Sequence, residues 1–260
     1  NGSEDVNDFH AAGVTAGLLA TLIDGGFVDG EAPTVWGTSL ADTVAEVLPN
    51  AETFSTRKPE ATRNREILRP HDDPFELDGG IRLMQGNLGR GVCKVSAVKH
   101  EHRLVEAPCR VFTDQQQVID AFDRGELTQP VVVVVAHQGP RANGMPELHK
   151  LTPLLGVLQD QGLPVALVTD GRMSGASGKV LSAIHICPEA KAGGPISRLR
   201  DGDMVRVDAD EGLLHTTANL DEREPMPTPA QAVSHGRGYF QVWRNTVSSA
   251  EEGASNLFAE

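Results

Sequence analysis

At 260 residues, 39% hydrophobic and 23% charged, the chain can bury a sizeable core, which excludes a disordered or low-complexity protein. Its net charge of −13 argues against a nucleic-acid partner, so any anionic ligand must be met by local cations rather than by the field of the whole molecule. Cys93, Cys109 and Cys187 stand far apart without a C-x-x-C, no apolar run of about 18 residues occurs, and the acidic, polar opening NGSEDVNDFH is not expected to be a signal peptide. No disulfide framework, metal knuckle or membrane association is indicated, and a reducing, cytoplasmic setting is expected.

In chain order, Phe9 to Gly26 predicts one amphipathic helix closed by a Gly-Gly C-cap, with no preceding strand to pack on. Thr34 to Leu48 predicts a short strand, a turn and a second helix capped by Thr38 or Ser39. Residues 49–78 are polar and proline-bearing, and are expected to be a linker. The domain division that follows is 1–78 and 79–260.

The second part opens with two strands across Gly80 to His100, joined at Gly86-Asn87-Leu88-Gly89. Leu104 to Phe112 is a further strand, and Asp114 to Gly125 a capped helix with Val118, Ile119 and Phe122 on one face. The five valines after Pro130 predict a strand buried on both faces. A polar loop from His137 follows, then a helix starting at Met145-Pro146-Glu147 and ending at Gly162. Pro164 to Pro188 begins as another buried strand and is expected to end as a helix. Strand, loop, helix and strand make a βαβ-like unit, whose two polar loops would face one another beyond the strand ends. Met204 to Ala218 predicts a hairpin turning near Asp210 to Gly212, and Gly238 to Ala250 a closing helix.

Between the strand and the expected helix lies Asp170-Gly171-Arg172-Met173-Ser174-Gly175-Ala176-Ser177-Gly178-Lys179, a glycine- and hydroxyl-rich stretch of the kind that cradles anions. It is not a nucleotide P-loop: Met173 stands where the first glycine belongs, and Val180 where the Mg²⁺-binding hydroxyl belongs. Nor is it a G-x-S-x-G elbow. What the chemistry allows is a lyase with Ser174 as base beside a bound cation, and with Glu147 on the facing loop as an oxygen ligand for Mg²⁺. Arg172 and Lys179 are the local cations for a carboxylate or phosphate. Asp170, Ser177 and Asn87 are candidate substrate contacts. For His137, His149 and His185, general-acid use and hydrogen-bonded packing both stay open, while Cys187 reads as a small buried apolar residue.

The stretches GNLGRGVCKVSAV, HQGPRANGMPELHK, LVTDGRMSGASGKVLSAIHICPEAKAGGP and LRDGDMVRVD, in this order, resemble the C-terminal part of the dihydroxy-acid and 6-phosphogluconate dehydratase family, and the similarity runs along nearly the whole chain, from DVNDFHAAG to SSAEEGAS. The SGASGK version looks like the 6-phosphogluconate branch. The resemblance implies an α/β fold, a swivelling β/β/α domain built on a small barrel flanked by helices, preceded by a helical remnant of an N-terminal domain. It implies a hydro-lyase of the Entner–Doudoroff route acting on a phosphorylated sugar acid, with Ser174 as base, Glu147 on Mg²⁺, and an iron–sulfur cluster, 4Fe-4S, whose ligands lie outside this chain. The family's cluster motifs are missing, so the chain alone is expected to be inactive. A homodimer is implied for the full-length enzyme. Dehydration of a dihydroxy-acid or another sugar acid, and a non-catalytic sugar-phosphate binding module, are the alternatives.

Overall fold

A computed structural model of the chain describes residues 4–44, 46–49, 54–57, 59, 62–77, 79–173, 179–230 and 240–257. The chain forms two compact units, Asn1–Gly79 and Gly80–Glu260. In the first, the expected single helix is two, α1 (Val6–Ala12) and α2 (Val14–Asp24), because Gly13 at φ 135° breaks the ladder between them. Asp5 caps α1 in a reciprocal capping box with Asp8. Ser39 caps only one turn, α3 (Leu40–Thr43), and the residues beyond it are extended: β1 (Glu46–Pro49) pairs antiparallel with β2 (Phe54–Arg57). Part of the stretch expected to be a linker is therefore paired strand. No single described helix is long and apolar enough to cross a membrane.

The second unit is mixed α/β and contains a closed eight-stranded barrel. Its strands are β3 (Ile81–Gly86), β4 (Gly89–Lys94), β5 (Leu104–Phe112), β6 (Val131–Val135), β7 (Val165–Thr169), β8 (Leu181–Cys187), β9 (Met204–Asp208) and β10 (Leu213–Thr216). Around the barrel they run β10, β3, β4, β8, β7, β6, β5, β9. The run β5–β6–β7–β8 is parallel, and β3–β4 and β9–β10 are antiparallel hairpins. Closure leaves no exposed edge.

The valine run shows why β6 must be central. Val132 and Val134 pack with Ala166 and Val168 in one core, whereas Val131, Val133 and Val135 pack with Val165 and Leu167 in another. The second core includes Val118 and Ala121 of α4 (Gln115–Asp123) and Leu151, Leu154, Leu155 and Leu158 of α6 (Leu151–Asp160). A strand packed on both faces needs apolar side chains in both alternating sets.

Two expectations are corrected near the loops. Leu181–Cys187 is strand rather than helix: it pairs with β7 on one side and β4 on the other, and this pairing outweighs any local helical tendency of Leu-Ser-Ala. The helix expected from Met145 starts only at Leu151. Met145 sits at φ 53°, and Glu147 forms a parallel bridge with Arg172, so this stretch is held extended by its neighbour. A single short turn, α5 (Pro140–Asn143), precedes it. Toward the chain's end, α7 is Phe240–Thr246.

Candidate active site

The parallel strands β6 and β7 end side by side, Val135 opposite Thr169, so the loops that follow them leave from one place on the barrel. Thr169 fastens the exit: its hydroxyl donates to the Val135 carbonyl at 2.6 Å and accepts from the Gly171 N–H at 2.9 Å. The two loops then join. Arg172 Nε donates to the Met145 carbonyl at 2.7 Å, its Nη1 to Glu147 Oε2 at 3.1 Å, and Leu148 N–H to the Arg172 carbonyl at 3.1 Å. Arg172 is half-exposed and Glu147 less so, which puts a guanidinium–carboxylate pair at the surface of the loop cluster. Among the described residues selected from sequence as metal or substrate ligands, Glu147 and Arg172 are joined side chain to side chain. Ser174 and Ser177 lie outside the described residues.

The others are occupied elsewhere. Asp170, expected to touch substrate, is fully buried, and its carboxylate accepts backbone N–H groups from His137 (3.2 Å), Gln138 (2.8 Å) and Ala190 (2.8 Å). Burial pushes its carboxyl up to about 6, against the pull of those three donors and with Glu189 adding a like charge. Asn87, another expected contact, spends its amide on the main chain of Thr216, donating to the carbonyl at 2.7 Å and accepting from the N–H at 2.8 Å. It ties the β3–β4 turn to the end of β10. Lys179 contacts both oxygens of Asp160, at 2.8 and 2.6 Å, lying over Gly156 of α6.

Backbone strain gathers around the same loops. His137, Met145 and His185 all have positive φ, of 61°, 53° and 57°, without being glycine. Such conformations are costly and concentrate where a site is being shaped. His185 is held by its N–H to the Gly171 carbonyl at 2.9 Å, and burial, with the Arg172 charge second, pushes its imidazole below the ordinary value. His137 is buried, and neither ring nitrogen makes a hydrogen bond of ordinary geometry. Its imidazole is pushed down by burial, with the Met226 backbone pulling the other way and Lys191 adding to the fall. Both imidazoles are therefore kept neutral near pH 7.

Sequence reasoning did not find Glu189. Buried within the loop cluster, it accepts the N–H groups of Arg141 (2.9 Å) and Ala142 (3.0 Å), and a Cβ on Gly139 would overlap its carboxylate. It stands after Cys187-Pro188, outside every strand and helix pattern, so periodicity carries no trace of it.

The described residues do not fit an iron–sulfur cluster. No group of three or more His, Cys, Asp or Glu side chains converges among them. Cys93, Cys109 and Cys187 are buried on three different strands; burial raises all three thiols, and Cys109, with Asp203 and Asp201 beside it, is pushed up to about 12. Cys109 Sγ donates to the Arg200 carbonyl at 3.2 Å. For Mg²⁺ the described residues offer at this place one carboxylate, Glu147, already facing Arg172, which falls short of an oxygen-ligand set.

The model of the family described as "Dihydroxy-acid/6-phosphogluconate dehydratase C-terminal" matches residues 66–254. The chain is 54% identical over 262 residues to phosphogluconate dehydratase of Pseudomonas aeruginosa, covering 99% of this chain and 43% of that protein. It is 46% identical over 261 residues to phosphogluconate dehydratase of Escherichia coli (strain K12), covering 98% and 43%. To dihydroxy-acid dehydratase of Desulfitobacterium hafniense it is 34% identical over 259 residues, covering 95% and 43%. The chain thus spans less than half the length of these relatives.

Proposed function

The chain belongs to the dihydroxy-acid/6-phosphogluconate dehydratase family, and we propose that it supplies the base-bearing side of a hydro-lyase that converts 6-phospho-D-gluconate to 2-keto-3-deoxy-6-phosphogluconate in the Entner–Doudoroff route. The observation that carries the substrate is the 54% identity to a phosphogluconate dehydratase across 99% of this chain. The reaction breaks the C2–H bond and the C3–O bond: the C2 proton passes to a base, the C3 hydroxyl leaves as water after gaining a proton, and the resulting enol becomes the ketone.

Ser174, which directly follows Met173, is the proposed base. Arg172, fixed by the Met145 carbonyl and by Glu147, offers its positive charge to the carboxylate of the sugar acid. Neutral His185, held below its ordinary value by burial and by the Arg172 charge, is proposed as a local group able to accept a proton. Asp170 and Asn87 act on the main chain rather than on substrate. Lys179 is proposed to reach a phosphate only by leaving Asp160. A 4Fe-4S cluster and Mg²⁺ are proposed for the protein that carries this chain, with the cluster ligands and the further Mg²⁺ ligands outside it, and no step is assigned to them. This chain by itself is expected not to turn over substrate. Homodimeric assembly and a cytoplasmic location are proposed from the same family membership.

The 34% identity to a dihydroxy-acid dehydratase supports dihydroxy-acid dehydration as the second reading. The test offers 6-phospho-D-gluconate and a 2,3-dihydroxy acid in turn to the anaerobically reconstituted protein that carries this chain. Keto-acid formation from the phosphorylated sugar acid is expected. Turnover of the dihydroxy acid alone would transfer the proposal to the second reading. Tight binding of the sugar phosphate without turnover would favour a binding module.

A further inference from the structure

We propose that Asp170 and Glu189 are positioning residues, two buried carboxylates that hold residues 137–147 in a strained arrangement and thereby place Glu147 against Arg172. The purpose of that pair rests on the dehydratase reading, but the geometry does not.

Each carboxylate is at most 4% exposed. Beside Asp170 stands another carboxylate, Glu189, which adds a like charge. A fold that buries two acids together must compensate them with donors, and here the donors are main-chain N–H groups. Asp170 Oδ2 takes those of His137 and Ala190, and Oδ1 that of Gln138. Glu189 Oε1 takes that of Arg141, and Oε2 that of Ala142. Four of the five donors lie between residues 137 and 142. Both oxygens of both groups accept, which an amide cannot reproduce, since its NH₂ would turn a donor toward an N–H.

The restraint is matched by strain. His137 and Met145 bracket the held stretch, and both are left-handed without being glycine. Such residues persist where their surroundings determine them. The packing leaves no slack: a Cβ on Gly139 would overlap the Glu189 carboxylate, and one on Gly171 would come within 2.6 Å of Gln138 Cβ. The consequence appears at the far end of the stretch, where the Met145 carbonyl and the Glu147 carboxylate receive Arg172 Nε–H and Nη1–H. If the loop relaxes, Arg172 loses both acceptors. A carboxylate that only fills a core would affect stability and leave Arg172 unchanged.

The test is made on this chain without metal or substrate, so failure of the dehydratase reading leaves its result intact. Glu189→Gln and Asp170→Asn are compared with wild type and with Val118→Ala, which opens the core at α4. Circular dichroism reports folding, and ¹⁵N NMR reports the Arg172 Nε–H resonance and its exchange with water. Both carboxylate variants are expected to remain folded while that proton exchanges more than about tenfold faster. Val118→Ala is expected to melt at lower temperature with the Arg172 signal unchanged. The proposal is overturned if the carboxylate variants keep the wild-type exchange rate within about twofold, or if Val118→Ala accelerates exchange as much as they do. Should one carboxylate variant not fold, the other decides. Should neither fold, Gly139→Ala, whose Cβ would overlap the Glu189 side chain from its Cβ to its carboxylate, carries the same two outcomes.

Discussion

A carboxylate that accepts three backbone donors and still has a raised pKa leaves a measurable trace in stability. The folded value for Asp170 is about 6, above the usual 3.8, because burial outweighs the three N–H groups. A raised folded value means that the stability contributed by this group is present in full below about pH 4 and is lost as pH rises through about 6, a cost of about 3 kcal/mol at neutral pH. Asp203 has the opposite sign: burial raises it, but Arg223 and the Arg200 N–H bring it below its usual value, so its contribution is lost toward acid pH. The Asp170 contribution is isolated by urea unfolding of wild type and Asp170→Asn at pH 4 and pH 7.5. Relative to the variant, wild type should be less stable at pH 7.5 than at pH 4 by about 2 kcal/mol. A difference that does not change with pH would mean that Asp170 is not the titrating group.

At the scale of elements, the strands were readable because their cores impose simple rules. The valine run, the β3–β4 and β9–β10 hairpins and the Asp114-capped helix all follow from alternation, turn glycines and caps. What could not be read depends on pairing between distant segments. Leu181–Cys187 is a strand because β4 and β7 lie on either side of it, and Glu147 is extended because Arg172 bridges to it. In the candidate site, the Glu147–Arg172 meeting could be expected from two loops leaving adjacent parallel strands. The occupations of Asp170, Asn87 and Lys179 could not, since their partners His137, Thr216 and Asp160 are fixed only by the fold. The layer between α6 and the barrel gives a direct check. Leu155 is fully buried there, whereas Val157 on the same helix is 44% exposed. Leu155→Ala should cost about 2–5 kcal/mol and Val157→Ala less than about 0.5 kcal/mol, read from urea midpoints at constant slope. Equal losses would place α6 differently on the barrel.

For the whole molecule, the acidic balance of −13 and the barrel end where Glu147 meets Arg172 point the same way: the anionic substrate proposed for it would have to be gripped locally. The barrel unit carries the motif-bearing loops, and the family match at residues 66–254 covers almost all of it and begins within the first unit. This chain is proposed to bring the base for proton removal at C2 of a phosphorylated sugar acid. The most direct test is the rate of 2-keto-3-deoxy-6-phosphogluconate formation from 6-phospho-D-gluconate by the reconstituted protein that carries this chain, with and without Ser174→Ala. If Ser174 is that base, its removal costs on the order of 10²–10⁴-fold in rate with the cofactor content unchanged. Turnover by Ser174→Ala within about twofold of wild type would contradict the proposal.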